Sequence, residues 1–160
     1  MPLLPELQHL LRFLVFGEEE ENPVKVLRQN QRVVEAWLQR EKQWKALADL
    51  PPNLAKTFYV LNAVGTAKCK HRQGVPWFQG GWGPCMAHGC LYRADPVSTK
   101  RLDRAHVRLL LGDTSFNHIV LLCRKHNLQK GAAVHLDQER AHVFAVPECT
   151  CGSPPKFFSV

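Results

Sequence analysis

Leu3, Leu4, Leu7, Leu10, Leu11 and Leu14 recur at intervals of three and four, the period of one helix face, and predict an amphipathic helix over residues 3–16. Gly17 and the acidic run Glu18 to Glu21 end it. Asn22-Pro23 places a capping side chain before a proline at the first helical position and starts a second helix. That helix is expected to run to about Ala48, with Leu27, Val34, Trp37, Trp44 and Leu47 as its apolar stripe and Pro51-Pro52 as its stop. A third helix, 53–64, follows from Leu54, Phe58, Leu61 and Val64, with Gly65 closing it.

The pattern changes past residue 65. Two strands are expected, 102–111 around Arg104-Ala105-His106-Val107 and 118–122. A short helix over 127–133 and a strand over 141–147 complete the set. The expected fold is therefore α+β: a helical layer in residues 1–65, a chemistry-bearing unit in 66–151, and a tail in 152–160.

A chain of 160 residues accommodates one domain, or one small domain with a helical extension. Its formal charge of +7 favours a polyanionic partner. Glu6, His9 and Arg12 interrupt the first apolar run, which argues against a signal peptide. No apolar stretch approaches the ~20 residues that span a bilayer. A soluble intracellular protein of cytoplasm or nucleus is expected, without a membrane partner. The N-terminal helices suit packing, dimerisation or a protein partner.

The six cysteines change the picture. Cys85 and Cys90 precede the first strand, and Cys123 and His126 follow the second. Two close pairs so spaced suit one tetrahedral structural zinc that staples the ends of a hairpin. Cys85-Met86-Ala87-His88 also reads as a Cys-x2-His pair, so His88 competes with Cys90; the thiolate is preferred because thiolates dominate structural sites. Cys69, His71, Cys149 and Cys151 remain; a second zinc site that ties the tail back to the start of this region is one reading, and a disulfide or functionally unrelated polar residues are the others.

Candidate catalytic groups surround the first knuckle. His106 sits mid-strand and could serve as a general base, since imidazole titrates near neutral pH. Asn127 offers an amide oxygen to a divalent cation, and Arg101, Arg104, Arg108, Arg124, Lys125 and Lys130 supply cations for phosphate. Trp77, Phe78 and Trp82, in a Gly-rich loop, suit either base stacking or packing against the zinc region.

Ala105-His106-Val107, followed by Leu122-Cys123-Arg124-Lys125-His126-Asn127 and Lys130-Gly131, resembles the HNH (His-Me finger, ββα-metal) endonuclease family over roughly residues 85–133. The resemblance implies a zinc-stapled ββα-metal domain with His106 as general base and Asn127 as ligand of a catalytic Mg2+ or Mn2+. The zinc held by Cys85, Cys90, Cys123 and His126 would be structural. His118 takes the slot that braces the loop and orients the base, with Asn117 one residue off. The activity implied is hydrolysis of DNA phosphodiesters by an endonuclease or nickase. The alternative is a non-catalytic zinc module that binds nucleic acid or protein. Ala105 departs from the family, which commonly has an Asp or His there as a metal ligand; Asp103 and Asp113 are the nearest replacements.

Overall fold

A computed structural model describes residues 23–55, 58–110 and 116–152. The helix expected over 3–16, the acidic run after it, Asp113 and most of the tail lie outside the described residues.

Helix α1 (Pro23–Gln39) begins at the proline that the sequence marks. It stops nine residues short of Ala48, because the chain turns at Lys42 (φ +45°) and Lys45–Ala46 forms strand β1 instead. A single turn, α2 (Pro52–Ala55), is followed by β2 (Tyr59–Asn62). The helix expected over 53–64 is thus replaced by a turn and a strand. The spacing of Leu54, Phe58 and Leu61 matches a helix, but Val60, Leu61 and Asn62 are all buried, and β2 is hydrogen-bonded on both sides. A strand enclosed on both faces reads as a continuous apolar run, without alternation to reveal it.

The remaining elements are β3 (Gly83–Pro84), β4 (Arg93–Ala94), β5 (Asp103–Leu109), β6 (Asn117–Leu122), the one-turn helix α3 (Arg124–Asn127), β7 (Ala133–His135) and β8 (His142–Val146). The helix expected over 127–133 is this single turn, placed three residues earlier. Six strands form one antiparallel sheet in the order β1-β8-β6-β5-β2-β7, and β3 pairs with β4 apart from it. The architecture is mixed helix and sheet. Residues before position 65 contribute β1 and β2 to the same sheet as the strands that follow, so they do not form a separate helical layer among the described residues.

Alternation along β5 and β6 sorts their side chains. Ala105, Val107 and Leu109, with Val120 and Leu122, belong to the main core with Val34 and Leu38 of α1. Arg104, His106 and Arg108 point the other way, as does Ile119 opposite His106. This second face is covered by the loop from Cys69 onward and by the chain near Cys149, where Cys69, Val75, Ile119, Val146 and Cys149 pack together.

Candidate metal centres and the cleft between them

Four ligand atoms, from Cys85, Cys90, Cys123 and His126, lie within 4.8 Å of one another. Cys90 Sγ is 3.8 Å from Cys123 Sγ, and His126 Nδ1 is 3.8 Å from Cys85 Sγ and 3.2 Å from Cys123 Sγ. A tetrahedron built on Zn–S bonds of ~2.3 Å has S–S edges of roughly 3.8 Å. The Cys123 N–H donates to Cys85 Sγ at 3.2 Å, a bond that favours the thiolate. Burial pushes the bare Cys85 thiol up to about 12, so a cation there must displace its proton. His88 stands apart, its side chain 62% exposed and its Nδ1 3.8 Å from Asp137 Oδ2. Gly89 (φ +75°) turns the chain so that Cys90 reaches the cluster and His88 does not.

Cys69, His71, Cys149 and Cys151 form a second such group. Cys69 Sγ lies 3.4 Å from Cys149 Sγ and 3.7 Å from His71 Nδ1, and Cys151 Sγ lies 3.9 Å from that nitrogen. All six cysteines are free thiols. Both clusters can hold a metal ion, and their donor sets suit zinc.

The supports of the second cluster are residues expected to do something else. Asn117 Nδ2 donates to Cys149 Sγ at 3.1 Å and to the Cys151 carbonyl at 2.8 Å. Arg108 is 5% exposed, and its Nη2 donates to the carbonyls of Thr150, Cys151 and Gly152 at 3.3, 3.2 and 3.1 Å. Arg108 therefore anchors the C-terminal knuckle and offers no surface to phosphate. Gly152 (φ +79°) approaches so closely that a Cβ would stand 2.3 Å from the Val64 carbonyl oxygen.

The two candidate histidines do not meet. His106 pairs with Ile119, and His118 pairs with Val107, so their rings fall on opposite faces of the hairpin. His106 is 1% exposed, and its Nε2 has no partner among the described residues. Burial, with Arg72, Lys130, His71 and Arg108 nearby, pushes its pKa down to about 4. His118 is equally buried beside the Phe116 ring, with neither nitrogen partnered among the described residues. Burial, and then Arg108, pushes it down to about 3. His118 cannot brace His106. Asn117, on the His106 face, is committed to the second cluster.

Asn127 lies elsewhere, in a cleft of about 210 Å³ lined by Arg72, Trp77, Asp103, Arg104, Arg124 and Asn127. Its Nδ2 donates to Asp103 Oδ2 at 2.9 Å, and its Oδ1 accepts from Lys130 Nζ at 3.0 Å. Arg124 Nη1 is 3.2 Å from the same Asp103 oxygen. Arg104 lies 4.0 Å above the Trp77 ring and donates to the Arg72 carbonyl at 3.2 Å. Asp103 thus reaches Asn127, while His106 does not line the cleft.

Asn62, unremarked in the sequence, is the keystone of this corner. Fully buried, it places Nδ2 3.1, 3.0 and 3.3 Å from the carbonyls of His126, Asn127 and Gln129, and its Oδ1 accepts from Lys130 Nζ at 3.2 Å. A polar residue inside the run Tyr59-Val60-Leu61-Asn62-Ala63-Val64 was its only signal.

Comparison with protein-family models, with curated proteins and with solved structures finds no match.

Proposed function

We propose that the chain is a nucleic-acid-binding module in which each Cys/His cluster holds a structural zinc and the cleft between them takes the phosphate backbone. One observation carries the reading. Arg72, Arg124 and Asn127, three residues lining the cleft, each directly follow a cluster ligand: His71, Cys123 and His126. The metals would fix the cleft walls, and Arg104, held over Trp77, adds a third guanidinium. Planar guanidiniums suit phosphate oxygens, and the +7 charge adds long-range attraction. No helix among the described residues is long and apolar enough to cross a membrane.

The test is fluorescence anisotropy with labelled DNA over a salt series. Each phosphate neutralised contributes about 0.9 to the slope of log affinity against log salt on duplex, and about 0.7 on a single strand. Arg104→Ala and Arg124→Ala should each weaken binding and lower the slope by about that amount. Absence of binding by the zinc-loaded protein to either form of DNA, or a slope that neither variant changes, overturns the proposal.

A second reading, the HNH-type endonuclease or nickase with Mg2+ or Mn2+, is favoured by Asp103. Its carboxylate beside Asn127 supplies an acid that Ala105 does not. The burial of His106 away from the cleft weighs against it, because a general base must reach the water that it activates. Plasmid nicking with Mg2+ or Mn2+ decides. The binding module leaves the plasmid intact; metal-dependent nicking lost in both His106→Ala and Asp103→Asn would establish the nuclease.

A further inference from the structure

A second cleft opens beside the first, on the same face of the sheet. It has a volume of about 210 Å³, and Phe78, Trp82, Leu121 and His142 are among the residues that line it. The rings of Phe78 and His142 stack at 4.0 Å with 26° between their planes. The loop that builds it is conformationally costly. Gln79, Gly80 and Gly81 follow one another at φ +51°, +73° and +84°. A Cβ on Gly80 would meet the Trp82 ring at 3.0 Å, and one on Gly81 would meet the Trp77 ring at 2.9 Å. A left-handed run ending in two glycines persists only where its surroundings enforce it, and here it sets both tryptophans in place.

The polar rim of this cleft is uncommitted. The Gln79 amide, the Trp82 indole N–H, the Glu139 carboxylate and His142 Nε2 make no hydrogen bond to another described residue, whereas Arg140 is held by Asp137 and by the carbonyls of Ala87 and Cys90. Aromatic faces with unpaired donors and acceptors at their edge match a planar heterocycle better than an aliphatic chain. The cleft also adjoins cations. Trp77 lines the phosphate cleft and Phe78 lines this one; Asp103 and Leu102 divide in the same way. The Arg101 guanidinium lies over both tryptophans, 5.5 Å from Trp77 and 5.3 Å from Trp82.

We propose that this aromatic cleft receives one unpaired nucleobase of a single strand whose phosphates occupy the Arg72/Arg104/Arg124 cleft, with guanine the best fit. The inference rests on the nucleic-acid reading given above. A base inside a duplex has its faces covered by its neighbours, so the occupant is single-stranded. Guanine is favoured because the Glu139 carboxylate only accepts hydrogen bonds, and guanine presents adjacent N–H donors on its pairing edge.

The test uses the full chain loaded with zinc and three single-stranded octamers of abasic tetrahydrofuran nucleotides: one with a central guanine, one with a central thymine and one with no base. Stacking on aromatic side chains predicts roughly tenfold tighter binding of the guanine octamer than of the baseless one. Thymine should fall between them. Trp82→Ala and Phe78→Ala should each abolish the gain from the base while leaving the affinity for the baseless octamer unchanged. Metal content in each variant checks that the fold survives, and Trp82→Phe, which keeps a ring, should retain most of the gain. Equal affinity for all three octamers overturns the base pocket while the phosphate cleft stands; so does a gain that persists in both alanine variants. Failure to bind any octamer or duplex removes both.

Discussion

Replacing His118 with phenylalanine should flatten the acid side of the stability profile. The ring is buried on the core face of β6 with both nitrogens unpartnered among the described residues, and its pKa is pushed from 6.5 down to about 3. Above pH 6.5 the ring is neutral in folded and unfolded chains alike and contributes no pH dependence. As pH falls from 6.5 towards 3, the unfolded chain takes up a proton that the folded chain refuses, so stability is lost through that window. Each pH unit is worth about 1.4 kcal/mol, so His118 alone should cost the native protein about 2 kcal/mol at pH 5. His106, whose pKa is also pushed down by burial, lowers stability in acid too, but it acts equally on native protein and variant. Urea unfolding at pH 7 and pH 5 isolates the difference. His118→Phe should lose about 2 kcal/mol less than the native protein between those values, equivalent to roughly 4–8 °C in melting temperature. Parallel losses in both proteins would refute the claim that His118 is held neutral in a closed site.

Two further substitutions probe the supports of the metal clusters. Asn62→Ala removes the side chain that satisfies the last carbonyls of α3 and Lys130, and should cost about 1–3 kcal/mol in thermal unfolding monitored by circular dichroism; an unchanged melting temperature would remove Asn62 from that role. Arg108→Ala frees the carbonyls of Thr150, Cys151 and Gly152, and should weaken one metal site by about 10- to 100-fold in chelator competition while leaving DNA affinity unchanged. The opposite pattern would make Arg108 a phosphate contact.

The ligand groups were legible because a knuckle is a local device. Cys85-x4-Cys90 and Cys123-x2-His126 each need only a short chain reversal, and spacing alone announces that. The strand ends near Asp103 and Leu122 were legible for the same reason, since composition changes sharply there. What depends on register parity was not. His106 and His118 look equally available along the chain, yet one residue of offset in the β5–β6 ladder sends their rings to opposite faces. Burial on both faces hid β2 behind a helical spacing, and with it Asn62, whose partners lie more than sixty residues away. Arg108 read as a surface cation because nothing in the sequence indicates that the chain after Cys149 returns to cover it. The Gly-rich loop announced a turn without saying which way its aromatic rings would face.

The proposed phosphate cleft requires both clusters to be metal-stapled, since each fixes one of its walls. Native mass spectrometry of the full chain, purified without chelator, measures this directly. Two zinc ions should be bound, with one lost and one kept in Cys123→Ser and likewise in Cys149→Ser. A metal-free native protein, or one whose cysteines are paired as disulfides, would contradict it.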